Sequence, residues 1–191
     1  MTDDPAAGAP LEAPLPDHVK MSRDGLNLVL DVRWFRAYHV FSLLGAFAMG
    51  AFYYFTFLRS RAPSAAGLDW FTVLWFGGLS CGAYSGLAGI WNHTWVTVGD
   101  GAIDVRIGPL PWWGAKRIPS NEITQVYCDE EVRRRRGGSD TYYHVEAITA
   151  QNTNVRLVAE LPAKDIALFI EQEIEKALGI ADRKVPGEVQ K

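Results

Sequence analysis

The sequence predicts a membrane α-helical hairpin joined to an α+β domain, in which one C-terminal helix caps a curved antiparallel sheet. Three observations carry that expectation. Residues 37–58 and 70–91 hold no Asp, Glu, Lys or Arg; from His93 the apolar residues alternate in short runs broken by Gly, Pro and Asn; residues 162–178 place apolar side chains at helical spacing.

Composition sets the outer bounds. The 191 residues leave room for one soluble domain beside two spans, given domains of about 100 to 150 residues. Hydrophobic residues make up 48% and the net charge is -3, so no basic character argues for a nucleic-acid partner. Cys81 lies in an apolar stretch and Cys128 in a strand-like one, and there is no CxxC pair or His/Cys cluster at zinc-ligand spacing. Neither a disulfide, a structural metal nor any cofactor is expected.

Residues 1–24, with Pro5, Pro10, Pro14 and Pro16 among Ala, Gly and acidic residues, read as a disordered tail rather than a signal peptide. In the pre-membrane segment 25–36, Leu26, Leu28 and Leu30 alternate with Asn27, Val29 and Asp31, which predicts a strand docked on or near the sheet. The alternative is an interfacial connector. Residues 37–58 are long enough for about 33 Å of helix, the thickness of a hydrocarbon core, and 70–91 form the return span. The intervening loop, 59–69, is short, so the two helices must be antiparallel neighbours. Trp34 and Trp91 are expected at one interface, and Tyr53, Tyr54 and Trp70 at the other.

Lys20, Arg23, Arg33 and Arg36 precede the first span, whereas the loop offers Arg59 and Arg61, which puts both termini and the domain in the cytoplasm. Lipid gives helices no hydrophobic reason to associate, so small residues allowing close contact should form the seam: Ser42, Ala46 and Gly50 against Gly78, Gly82 and Gly86. The alternative reserves one of these faces for another membrane protein.

The domain is expected over 92–180, with strands at 95–98, 103–107, 115–118, 123–132, 141–150 and 155–159. Gly99-Asp100-Gly101 reads as a tight hairpin turn, because Asp-Gly accepts positive φ. Pro162 opens the helix, Ile166, Phe169, Ile170, Ile174 and Leu178 form its apolar side, and Gly179 ends it. Glu171, Glu173 and Glu175 read as surface charges on that helix. Residues 181–191 are taken as a flexible tail.

Strands followed by one amphipathic helix is the element order of a PH-like domain. Four segments add a family resemblance: Asn92-His93-Thr94-Trp95-Val96-Thr97-Val98, Gly108-Pro109-Leu110-Pro111-Trp112, Ile123-Thr124-Gln125-Val126-Tyr127, and Glu171 with Glu173-Ile174-Glu175-Lys176-Ala177-Leu178-Gly179-Ile180. Across about 25–180 the chain resembles the bacterial two-span membrane proteins with a PH-like domain. Many of those begin with a zinc ribbon, whose cysteines this chain lacks, so no metal role carries over. The resemblance implies a PH-like fold and a bacterial inner-membrane address, and no reaction.

Candidate sites are few. Arg133, Arg134, Arg135 and Arg136 precede Gly137-Gly138 in an expected hairpin tip, where they would meet anionic lipid headgroups or an acidic protein surface. Asp129, Glu130 and Glu131 just before them offer the plainer alternative of a self-balanced loop. Trp112 and Trp113 sit between Pro111 and Gly114, either gripping the interface or a partner, or with at least one packed in the core. His39 and His93 lie near the ends of the spans. Such a pair could hold a haem or chlorophyll-type pigment, although bonding to headgroups or water is the simpler reading. No nucleophile with a base, paired carboxylates or phosphate loop is present. The expectation is therefore a non-catalytic subunit that binds other integral membrane proteins and lipids, in a concrete version an accessory subunit of a respiratory or photosynthetic complex. The runner-up is a free-standing envelope sensor or scaffold that binds anionic lipid through the basic loop.

Overall fold

The computed structural model describes Pro16 and residues 19–25, 27–59, 70–135, 138–181 and 189. Most of the expected tail, Leu26, the loop between the spans beyond Arg59, and Arg136 lie outside the described residues. The fold is α+β, and the chain divides into a sheet unit (within 1–32, 95–106 and 116–191) and a helical unit (33–94 and 107–115).

In the sheet unit the first strands are β1 (Val19–Asp24) and β2 (Asn27–Arg33), paired antiparallel from Val19↔Val32 to Asp24↔Asn27. The alternation at Leu28, Leu30 and Val32 thus reports a true strand, with those three side chains buried. β1 corrects the expected disordered tail at its C-terminal end. Its sequence, VKMSRD, buries Val19 alone, so it has too few apolar residues to register as a strand; its backbone pairing with β2 defines it.

After the spans come β3 (His93–Gly99), β4 (Ala102–Gly108), β5 (Lys116–Pro119), β6 (Ile123–Arg135), β7 (Gly138–Thr149), β8 (Asn154–Leu161) and helix α3 (Lys164–Leu178). One sheet runs in the order β1-β2-β3-β4-β5 and the other β6-β7-β8. The turn between β3 and β4 uses Asp100 and Gly101, both at positive φ, as two-residue hairpins of right-handed twist require. Val96, Val98, Ile103 and Val105 of one sheet join Val126, Val145, Ala147 and Val158 of the other, with Ile170 and Ile174 of α3, in a single apolar core. Gly179, at φ 68°, ends α3, and the Ile180 N–H returns to the Glu175 carbonyl oxygen, a left-handed cap that satisfies the last turn.

One expectation for this end of the chain is corrected. Glu171, Glu173 and Glu175 are buried rather than on the surface, with Glu171 at 0% exposure. Glu175 accepts a 2.8 Å hydrogen bond from Gln125 Nε2, and Glu173 lies 3.6 Å from the Arg23 guanidinium of the unforeseen β1. Of the expected tail 181–191, residues 182–188, 190 and 191 lie outside the described residues; Val189 is 9% exposed, and its N–H donates to the Cys128 carbonyl oxygen of β6 at 3.0 Å.

The helical unit contains α1 (Ala37–Tyr53), continued by a wider π-helical turn (Tyr54–Leu58), and α2 (Trp70–Trp91). Both helices are long and apolar enough to cross a membrane. Their seam differs from the expected one. Gly86 does face α1, where a Cβ would lie 3.3 Å from the His39 carbonyl oxygen, and Gly50 faces Leu79 at 3.6 Å. At Gly78 and Gly82 an added Cβ would meet nothing within 4 Å, and Ser42 is exposed while Ala46 is half-buried. The closest contact is instead Gly89, whose missing side chain makes room for the His39 ring.

The reason is periodic. A step of four residues turns an α-helix by about 40° more than one revolution, so a Gly-x-x-x-Gly-x-x-x-Gly row drifts off a contact line that Thr72, Leu79, Gly86 and Gly89 follow. Tyr53 is likewise corrected: it is 1% exposed within the seam, shares a 2.7 Å hydrogen bond with Thr72, and stacks on Phe57 and Trp75. Tyr54, Trp70 and Trp91 are exposed.

These contacts distinguish the glycines experimentally. Gly89→Ala forces the His39 ring out of its place and should cost about 1–3 kcal/mol by overpacking, whereas Gly78→Ala should be close to neutral. Thermal midpoints of the two purified variants in one detergent test the ordering, and equal midpoints would refute the assigned seam.

Candidate functional site

Strand alternation on β6, β7 and β8 builds the most elaborate polar array among the described residues. The register pairs Tyr127 with Glu146, Asp129 with His144, Glu131 with Tyr142 and Arg133 with Asp140, so these side chains share the face opposite Val126, Cys128, Val145 and Ala147. Glu131 is the hub. Arg133 Nε donates to its Oε1 at 2.6 Å, His144 Nε2 approaches Oε2 at 3.0 Å, and Arg133 Nη1 also reaches Glu160 at 2.7 Å.

The His144 ring is fully buried, with its other nitrogen, Nδ1, accepting the Glu160 N–H at 2.9 Å. Glu160 stands at φ 55° where the β7–β8 register shifts, and that bulge aims its N–H at the ring. The accepting Nδ1 places the ring proton on Nε2, which donates to Glu131. Arg133, and next His144, hold the Glu131 carboxyl at about 2, below its usual 4.5. Hydrogen bonds to Glu131 and Glu160 raise the Arg133 pKa further, so this guanidinium stays charged.

The array continues along the sheet. Arg156 Nε donates to Glu146 Oε1 at 3.0 Å, Tyr127 OH donates to Glu146 Oε2 at 2.8 Å, and Asn154 Nδ2 donates to Tyr127 OH at 3.0 Å. Burial, reinforced by Glu146, pushes the Tyr127 phenol well above its usual 10. Glu131, Arg133, His144 and Glu160 are thus linked to one another by hydrogen bonds, as are Tyr127, Glu146, Asn154 and Arg156.

The four expected arginines therefore separate. Arg133 is committed to the array and lies 5.1 Å from the Tyr142 ring centroid; Arg134 is exposed. Arg135 pairs through its backbone with Gly138 at the end of a ribbon in which β6 and β7 run on past the residues β8 pairs. Sequence reasoning missed Tyr127, His144, Glu146, Arg156 and Glu160; the i,i+2 spacing of Glu131 and Arg133 was the available signal.

The tryptophan loop belongs to the helical unit. Buried Asn92, just past α2, donates through Nδ2 to the Leu110 carbonyl oxygen at 3.1 Å and accepts the Leu110 N–H at Oδ1 at 2.8 Å. Tyr84 OH donates to the Pro111 carbonyl oxygen at 2.6 Å, and Trp34 Nε1 to Thr94 Oγ1 at 2.8 Å. Trp112 is half-buried, edge-on to Trp34 at 5.7 Å and stacked on Tyr84 at 6.1 Å. Trp113 is 79% exposed. Of the two rings, one is thus packed and one is presented.

His39 rests against Gly89 in the helix seam and 4.0 Å from the Tyr38 ring centroid, a crowded setting for a pigment ligand. His93 opens β3, half-buried. Among the described residues no group of three or more His, Cys, Asp or Glu could hold a metal. No protein-family model matches the chain, and no curated protein matches it.

Two outcomes follow from these geometries. Because the Glu131 carboxyl is depressed in the folded chain, its stabilisation is present above about pH 4.5 and lost as pH falls towards about 2. Glu131→Gln should remove part of the acid-side fall in thermal midpoint, and an identical acid limb would contradict the assignment. Asn92→Ala leaves the Leu110 N–H and carbonyl without their partner, and should cost about 2–4 kcal/mol with a shift in tryptophan emission; an unchanged midpoint and spectrum would show that the loop is held otherwise.

Proposed function

We propose that this chain is a non-catalytic membrane subunit or scaffold, whose two helices span the bilayer against other membrane helices and whose sheet unit binds a protein partner. The observation that carries the reading is the outward surface of the helical unit. Phe41, Leu44, Phe47, Phe52, Trp70 and Leu74 are all more than half exposed, apolar side chains that lipid or another protein would cover. Burying such area is favourable by about 25 cal/mol per Å².

The sheet unit is read as a PH-like domain. Two antiparallel sheets closed by one C-terminal helix support this, and β2 and β3, which flank the spans in sequence, are neighbours in one of the sheets. The basic residues before the first span support a cytoplasmic side for both termini and the sheet unit, and the bacterial inner membrane is the address that the family resemblance implies. Accessory membership of a respiratory or photosynthetic complex is the concrete form of the proposal. Internal neutralisation of Arg133 lowers the charge that the ribbon offers to an acidic protein surface and to an anionic membrane alike, and leaves Arg134 as the exposed cation there among the described residues. The second reading, an envelope sensor that binds anionic lipid, rests on Arg134 and its neighbours.

Solubilisation from native membranes in mild detergent separates the readings. The chain should migrate in a fixed ratio with a larger complex, and Arg134→Glu should weaken that association at least severalfold without lowering the thermal midpoint. A chain that runs alone yet pellets with phosphatidylglycerol vesicles would overturn the subunit reading in favour of the sensor.

A further inference from the structure

β6 is an outer strand of the β6-β7-β8 sheet, and an outer strand leaves a row of backbone donors and acceptors open to another chain. At Cys128 that opening is filled. Its carbonyl oxygen accepts the Val189 N–H at 3.0 Å, and the Val189 side chain is buried in the apolar core that includes Val126, Cys128, Ile170 and Ile174. Val189 thus brings to the edge two of the features of an added strand, a backbone hydrogen bond and a buried β-branched side chain. Strand addition of this kind draws affinity from the main chain and selectivity from the pocket.

We propose that the edge of β6 at Cys128 is a strand-addition slot for an extended peptide bearing a β-branched aliphatic residue, and that Val189 fills it in cis until a partner's segment takes its place. This rests on the protein-binding reading of the sheet unit and specifies where the partner is held. Tethering makes Val189 a strong competitor, since a segment joined to its own site by a few residues has an effective concentration on the order of millimolar. A free partner peptide therefore binds weakly to the intact chain, and a membrane partner, concentrated beside it, displaces the tail.

The test uses the full chain in detergent, its Val189→Asp variant and a variant ending at residue 185. The probe is a fluorescent peptide copying residues 186–191, Pro-Gly-Glu-Val-Gln-Lys, together with a version carrying Asp in place of Val. Both variants should bind the Val peptide at least tenfold more tightly than the intact chain, and neither should bind the Asp peptide. The point variant guards against misfolding of the shortened chain, and equal thermal midpoints confirm that it is folded.

Equal binding by intact and variant chains, equal binding of the two peptides, or no binding by a folded Val189→Asp chain would each overturn the slot. So would an intact chain that is dimeric by size and becomes monomeric in Val189→Asp, because the tail would then lie in a second copy. If the peptide fails to bind while the chain still migrates with its complex, the slot falls and the subunit reading stands.

Discussion

The constraint on which the molecule depends is the adjacency of β2 and β3. These strands are neighbours in one sheet, yet both long apolar helices lie between them in sequence. Neighbouring strands sit about 4.8 Å apart, so the long insertion must leave and return at nearly one place. The helical unit has its own means of holding that base together. The Trp34 N–H donates to the Asn92 carbonyl oxygen, Trp34 Nε1 reaches Thr94, and Asn92 clasps Leu110.

Buried polar groups in each unit are paired in directions that fix geometry. Asn92 satisfies both backbone groups of Leu110, and His144 uses one nitrogen on the Glu160 N–H and the other on Glu131. Such groups are costly to bury alone and specific when satisfied, because a shift of one residue would strand them. The bulge at Glu160 illustrates the point: positive φ at a non-glycine residue is unfavourable locally and is retained where it delivers a hydrogen bond to a ring without access to water.

The elements legible in the sequence were those with an uninterrupted pattern. Both helices stand where the charge-free segments put them, Asp100 and Gly101 make the anticipated turn, and α3 ends at Gly179. What the sequence hid depended on partners distant in the chain. β1 owes its place to backbone pairing with β2, and the burial of Glu173 to Arg23 on that same strand. Arg133 seemed available because Glu160, which engages it, comes from β8. Gly89 went unnoticed among the glycines because its value lies in the ring of His39 across the seam. The two tryptophans of the loop are adjacent in sequence, and only the positions of Trp34 and Tyr84 decide which is packed.

The order in which the chain emerges from the ribosome gives β2 an awkward interval. Leu28, Leu30 and Val32 are made before either helix, and the strand that lies beside them, β3, follows only after the whole of α1 and α2. At about 5–20 residues per second, those intervening segments occupy several seconds of translation. During that time the β1–β2 pair presents an apolar face that its neighbour does not yet cover. Completion of the sheet therefore waits on the synthesis of both helices, and the earliest strands of the chain are among the last to be fully paired.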